Sequence, residues 1–493
     1  MMTSAVMDLP ARIRELLTVE PAARAVLVDA QWTTWKQLDD YICQLDAVLT
    51  NAGIGRYAPV GVVVRNSLSC YQALVAMIAT RRTVVCLSAF APDSLLEKEL
   101  PALDLAALAA GSPDIDRSAV SSADAPKLDL DQLQLSGQSA AWTPSPAVAV
   151  YMLTSGTTGT PTRVPLSYAA MAKSVADTRQ HIHGSAAPPD IQVRQRPAII
   201  HAPLFHVSGL YRLVDNLVAG RPVLLLPKFE PHRWAQAVHD YKVGADGVNP
   251  TALKMVLDAN IEPDLLRSLR VVRCGTAPLP AETREAFEAR FGIPILSSYG
   301  ATEFAGEVAA WTLDDHQRLG NTKAGAVGRV HAAVGARIVD PATGGPVDGL
   351  GVLELRSPRV ADGTWIRTND LARLDADRFL WILGRADDVI IRGGFKIDPR
   401  EVAQVIESHP AVREAAVAGI ADERLGRVPV AGVVLFEGSV ATDEDLQKWC
   451  RARMVAYKVP ARFVLIDRLP RNDSLKIVRP SLEALLANRT REP

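Results

Sequence analysis

The 493-residue sequence carries almost no net charge: 54 Lys and Arg stand against 55 Asp and Glu, a balance of −1. That excludes the strong basic field by which proteins hold nucleic acid or an anionic membrane surface. A cysteine framework is also missing. Cys43, Cys70, Cys86, Cys274 and Cys450 are odd in number, scattered, and form no C-x-x-C pair, so neither a disulfide scaffold nor a zinc site is expected, and a reducing cytoplasm fits. No apolar run approaches the roughly 18 residues that span a bilayer, and the start lacks the basic segment and apolar core of a secretory signal. No repeat of solenoid length is visible. What is present is ordinary globular composition, 48% hydrophobic and 22% charged, in a length that allows about two to four domains.

Periodicity gives the organisation. Val26 to Asp29 and Trp32 to Trp35 read as short strands, and Leu38, Tyr41, Ile42, Leu45, Val48 and Leu49 follow at helical spacing. Val62 to Val64 and Val84 to Leu87 flank a helical segment from Leu68 to Thr80, the strand–helix–strand grammar of a parallel sheet. Gly111 to Pro146 and His183 to Pro197 are polar and read as surface excursions. In the last quarter, Val402, Val405 and Ile406 mark an amphipathic helix, Ala415 to Ile420 and Val430 to Leu435 read as strands, and Thr442-x-x-Asp445 resembles a capping box. A turn-prone charged cluster at Arg385 to Asp388 suggests a boundary between two units.

The chemistry concentrates in Thr154-Ser155-Gly156-Thr157-Thr158-Gly159-Thr160-Pro161, which follows the apolar run Val148 to Leu153. Small residues let backbone N–H groups converge and the hydroxyls add neutral donors, so the loop can cradle a polyphosphate. It is not a Walker A loop, because no Gly-Lys-Ser/Thr follows, and a generic Ser/Gly/Thr cluster is more often a flexible turn.

The order of residues here resembles the phosphate loop of the adenylate-forming superfamily, which comprises acyl-CoA synthetases, nonribosomal adenylation domains and beetle luciferases. Further segments resemble that family's motifs in its order: His201 to His206, Gly275-Thr276-Ala277-Pro278, Tyr299-Gly300-Ala301-Thr302-Glu303, Thr368-Asn369-Asp370, Gly384 to Asp388, Arg392-Gly393-Gly394-Phe395, and Pro470 through Lys476. The resemblance runs from about Ala22 to the last helix. It implies an α/β fold, with a large N-terminal domain of subdomains built from mixed or parallel sheets flanked by helices (residues 1–386) and a small α+β C-terminal lid (residues 387–493) that turns about Asp387. It further implies ATP, Mg2+ and coenzyme A, a carboxylic acid substrate, and an acyl-adenylate that passes to a thiol. A homodimer is compatible with it.

Each residue then has an expected role. Ser155, Gly156, Thr157, Thr158 and Gly159, with Thr154, would hold phosphates. Gly275, Thr276, Ala277, Pro278, Ser298, Tyr299, Gly300 and Ala301 would form the adenine pocket. Asp370 and Arg385 suit a ribose diol or a phosphate. Glu303 and Thr158 are oxygen ligands for magnesium, with Thr302 beside them. His206 would lie next to the bound carboxylate, Lys476 would bridge carboxylate and α-phosphate, and Gly393 and Gly394 would let a pantetheine arm pass. Viewed singly, each residue has a plainer reading as core, surface or salt-bridge partner; the motif order lifts the functional one.

Three departures stand out: Thr162 and Arg163 replace the usual Lys-Gly after Pro161, Asn369 replaces Gly, and Leu475 replaces the Gly before Lys476. A competing class is therefore a nucleotide-binding homologue without turnover. A carrier protein or an amine remains an alternative acceptor. An α-amino acid substrate is disfavoured, because His206 stands where amino-acid-activating relatives place an Asp.

Overall fold

The computed structural model describes residues 7–137, 142–145, 147–154, 162–360, 363–386, 388–392, 395–422, 424–472 and 477–491. The chain forms two compact units: 1–335 with 356–365 and 376–380, and 336–355 with 366–375 and 381–493.

In the first unit a seven-stranded sheet runs in the order Gln134–Ser136, Lys127–Asp129, Ala107–Ala110, Pro59–Val64, Thr83–Ser88, Val148–Thr154, Thr162–Ser167. Its interior neighbours are parallel. Pro59–Val64 is buried at every position, as a strand covered on both faces must be. The helix Leu68–Ala79 supplies one cover and is buried from Ser69 onward; it starts where Ser67 Oγ accepts from Cys70 N at 3.3 Å. The predicted helix around Leu38 spans Trp35–Asn51, opens on a Thr34/Gln37 capping box, and buries Leu38, Ile42, Leu45 and Leu49. The polar stretch from Gly111 departs from expectation, because Lys127–Asp129 and Gln134–Ser136 extend the sheet edge. Leu128 and Leu130 are the apolar positions that anchor it, both fully buried.

A smaller sheet joins Ala198–Ile200, Val223–Leu225, Arg24–Val28 and Gln31–Thr34. A further sheet orders Ala245–Val248, Val271–Cys274 and Ile295–Ala301 in parallel, then Gly306–Ala310 and Gly328–Val330 antiparallel. One face packs Val272 and Cys274 against Trp234 and Phe287.

In the second unit, Val412–Asp422 and Gly426–Leu435 form a long antiparallel pair. Ile390–Arg392 and Arg462–Leu465 join this pair, and Phe395–Ile397 pairs with Ile390–Arg392. Helices Pro399–Glu407, Asp443–Arg451 and Arg479–Arg491 accompany them. Val402 and Ile406 are buried, and Thr442 and Asp445 make the expected capping box. Gly351–Arg356 and Ile366–Leu374 pair antiparallel. The whole is the mixed α/β class expected. No helix among the described residues is long and apolar enough to cross a membrane.

Candidate active site

In the first unit the motif residues gather where the sheet changes from parallel to antiparallel, at the carboxyl ends of two neighbouring strands, the usual place for a ligand in such a sheet. Val271–Cys274 runs into Gly275-Thr276-Ala277-Pro278. Thr276 holds φ +72°, and Thr276, Ala277 and Pro278 are exposed. A Cβ on Gly275 would lie 2.8 Å from Ser298 Oγ, so the glycine lets this loop lie flat against the next strand. That strand, Ile295–Ala301, carries Ser298, Tyr299, Gly300 and Ala301, with an irregular register between Tyr299 and Gly300. It ends in a single turn, Thr302–Phe304, anchored by buried Phe304. Ala305 N donates to Thr302 O at 3.0 Å, which leaves Thr302 half-buried and Glu303 exposed.

His206 is the residue before the helix Val207–Val218, its ring 4.4 Å from that of Phe205. A Cβ on Gly209 would lie 2.6 Å from Pro203 C, so this glycine seats the helix start on the His201–His206 segment. His201 itself is buried structure: its Nε2 stands 3.0 Å from Gly247 O and 3.6 Å from Asp246 Oδ2.

In the second unit, Asp370 and Arg385 come side by side, with Arg385 Nη1 3.8 Å from Asp370 Oδ1. Asp370 N donates to Thr368 Oγ1 at 3.1 Å, and that hydroxyl donates to Leu353 O at 2.9 Å. Ala386 N donates to Asn369 O at 2.6 Å. Thr154 ends its strand. Ser155, Gly156, Thr157, Thr158, Gly159, Asp387, Gly393, Gly394 and Lys476 lie outside the described residues. Arg163, which follows the phosphate loop, forms an ion pair with Glu99 at 3.2 Å; a carboxylate already counters the cation that follows Thr162.

Charged groups that no motif announced lie behind these strand ends. Arg212 Nη1 donates to Asp246 Oδ1 at 2.6 Å, and Trp234 Nε1 donates to Asp246 Oδ2 at 2.8 Å. Burial alone would raise the Asp246 carboxyl, but Arg212 and His201 outweigh it and hold the pKa below the ordinary range. Arg273 Nη1 stands 3.8 Å from Glu307 Oε2, and His331 Nε2 stands 3.4 Å from Glu307 Oε1. Burial again opposes, yet His331 and Arg273 hold Glu307 at about 2. The signal available in the sequence was a lone charge inside an apolar run, as in Val-Val-Arg273-Cys; nothing in the run says what the charge faces.

The residues fit the groups that the motifs imply. Glu303 is an exposed carboxylate, and among the described residues no set of three His, Cys, Asp or Glu could cage a metal. Magnesium held by one carboxylate plus substrate phosphates needs no such cage. The flat Gly275–Pro278 loop beside Tyr299 suits a purine.

Two sequence profiles match: the AMP-binding enzyme over residues 14–365 and the AMP-binding enzyme C-terminal domain over residues 401–476. The chain belongs to the AMP-binding enzyme family, the adenylate-forming class whose motifs it carries. It is 33% identical over 354 residues, 69% of each chain, to the 2-succinylbenzoate–CoA ligase of Geobacillus kaustophilus. Over 486 residues, 94% of this chain and 96% of the other, it is 28% identical to the enzyme of the same name from Bacillus cereus. The solved o-succinylbenzoate CoA synthetase of Bacillus subtilis, in complex with its acyl-adenylate intermediate, superposes with TM-score 0.80 at 25% identity, covering 96% of this chain and 97% of that one.

Proposed function

We propose that the protein activates a carboxylic acid with ATP, releasing pyrophosphate, and passes the acyl group from the adenylate to coenzyme A. A carboxylate is too poor an electrophile for a thiol to attack. Its oxygen therefore first attacks the α-phosphorus of ATP and displaces pyrophosphate; the thiol sulfur then attacks the acyl carbon of the mixed anhydride and AMP leaves. The observation that carries this reading is the convergence of the Gly275–Pro278 loop with Tyr299–Glu303 at adjoining strand ends, in a chain that holds every other motif in order.

In this reading Tyr299 and the Gly275–Pro278 backbone receive the adenine, with Ser298, Gly300 and Ala301 shaping its edge. Asp370 accepts hydrogen bonds from the ribose hydroxyls, and Arg385 donates to the same sugar or a phosphate. Ser155, Thr157 and Thr158 hold the β- and γ-phosphates, with Thr154, Gly156 and Gly159 shaping the loop. Glu303, with Thr158, would hold the magnesium, which when bound would supply positive charge to offset the phosphates. Thr302 orients the turn that presents Glu303, His206 flanks the substrate carboxylate, and Lys476 stabilises charge shifting from carboxylate to α-phosphate. Residues 387–493 act as a lid turning about Asp387, which exchanges Lys476 for the Gly393-Gly394 loop between half-reactions. Free, mostly buried cysteines accord with a cytoplasmic setting.

The test is ATP–pyrophosphate exchange across a panel of carboxylic acids, followed by CoA and mass detection of thioesters. Lys476→Ala is expected to lower exchange by roughly 100-fold or more while leaving thioester formation from a supplied adenylate. Undiminished exchange in that variant refutes the assignment. Exchange without thioester indicates a carrier protein or amine as acceptor, and ATP binding without exchange for any acid indicates a homologue without turnover.

A further inference from the structure

Alternation along Val271–Cys274 buries Val272 and Cys274 in the apolar core and turns Arg273 to the opposite face of the sheet. There the charge density is high. Arg212, from the helix Val207–Val218, meets Arg273 over Gly247: a Cβ on Gly247 would stand 3.1 Å from Arg212 Cζ and 3.5 Å from Arg273 Cβ. Any larger residue at 247 would occupy the space the guanidinium takes. Asp246 neutralises Arg212 through the 2.6 Å bond. Arg359 is cancelled by Asp177 at 2.9 Å. Glu307 faces Arg273 at 3.8 Å, a distance that offsets charge without closing a hydrogen bond.

Asp215 stands further along the same helix and is exposed. Arg221, Arg273, Arg179 and His183 act electrostatically upon it. Among the described residues no carboxylate closes a hydrogen bond on Arg273; Glu307, at 3.8 Å, is its ion-pair partner. A hydrocarbon acyl group laid against this wall would strip water from Arg273 and Glu307 and return nothing, at a cost of some kcal/mol. An anion within hydrogen-bond reach of Arg273 would replace that water with a charge-assisted bond.

The position adjoins the adenine loop. Arg273 is two residues before Gly275 of the adenine loop, and Glu307 pairs directly with Gly300 in the sheet. An acid activated at those strand ends has this charged layer behind it.

We propose that Arg273 binds a second, distal carboxylate of the substrate, so that the acid activated here is a dicarboxylate. Glu307 is the counter-charge that holds Arg273 in place before the substrate arrives. The proposal rests on the carboxylate-activating function above, and it makes Arg273 the residue that sets acid specificity.

The test measures pyrophosphate exchange with matched pairs that differ by one distal carboxylate: glutarate against butyrate, and 2-succinylbenzoate against 4-oxo-4-phenylbutanoate. In at least one pair the wild-type enzyme should prefer the diacid by 100-fold or more in kcat/KM, a discrimination of about 2.7 kcal/mol. Arg273→Met should bring that ratio below tenfold, mainly through KM for the diacid, and Arg273→Lys, which keeps the charge, should retain most of it. ATP binding by calorimetry confirms that each variant is folded. Equal use of both members of every pair by the wild type overturns the proposal while leaving the function standing. An unchanged ratio in a folded Arg273→Met variant does the same. Absence of exchange with every acid overturns the function, and the specificity with it.

Discussion

Gly300→Ala tests the reading of the strand ends most directly. Gly300 sits opposite Gly306 and Glu307, and a Cβ built on it would lie 2.7 Å from Glu307 Cα and closer still to Gly306 O, against an ordinary contact of 3.4 Å or more. Both obstacles are backbone atoms, so no side chain can swing away. The two strands must separate by at least about 0.7 Å, the shortfall at Glu307 Cα. That displacement acts on the turn that holds Tyr299, Thr302 and Glu303. A misplacement of about 1 Å near a reacting centre costs on the order of 100-fold in rate, and overpacking costs about 1–3 kcal/mol in stability. We therefore expect Gly300→Ala to lower kcat/KM for pyrophosphate exchange by roughly 10- to 100-fold, about 1.4–2.7 kcal/mol of transition-state stabilisation. Gly55→Ala is the matched control, because nothing stands within 4 Å of a Cβ there; its stability should change by no more than about 0.5 kcal/mol. Exchange kinetics and urea unfolding on both variants make the comparison. If Gly300→Ala exchanges within twofold of wild type with unchanged KM, the close approach of these strands does not hold the site.

Other perturbations follow from the buried polar groups of the first unit. Arg359 is fully buried, bonded to Asp177 at 2.9 Å and to Glu307 O at 2.6 Å, and Asp177 keeps a second partner in Lys173 at 3.3 Å, so Arg359→Leu should destabilise by about 1.5–3 kcal/mol through the lost charged hydrogen bonds, read as a lower urea midpoint; a loss under about 0.5 kcal/mol would contradict the pairing. Acid should destabilise this unit in two stages, because both kinds of group have folded-state pKa values below their unfolded ones. Burial and His331 lower His181 from 6.5, so the unfolded chain takes up protons first as pH falls below about 6.5. Glu307, lowered from 4.5 to about 2, contributes stability that is present above pH 4.5 and lost on the way down to pH 2. Glu307→Gln should flatten the urea midpoint between those two values, and an unaltered slope there would show that Glu307 is not the group responsible.

Legibility in the sequence followed the range of the interactions. Leu38, Ile42, Leu45 and Leu49 lie one helical turn apart, so their shared face was visible before any partner was known, and the Thr442/Asp445 cap closes within four residues. Lys127–Asp129 and Gln134–Ser136 were hidden because a three-residue edge strand has too few apolar positions to alternate. Val412–Asp422 runs beyond its predicted core at both ends because pairing with Gly426–Leu435 carries it outward.

The sequence by itself determined the chemical class. A nucleotide-handling loop is made of consecutive residues, and eight such segments in one order specify the family whatever holds them. Only the tertiary structure decided what surrounds those loops. Arg212, Gly247 and Arg273 come from a helix and two strands, and Arg359 reaches Asp177 across 182 residues of chain. Such meetings depend on strand register and on which face of each strand is turned inward, and no local pattern records either. For the same reason a net charge of −1 is silent about the two arginines that meet over Gly247, because an average over the chain carries no positions.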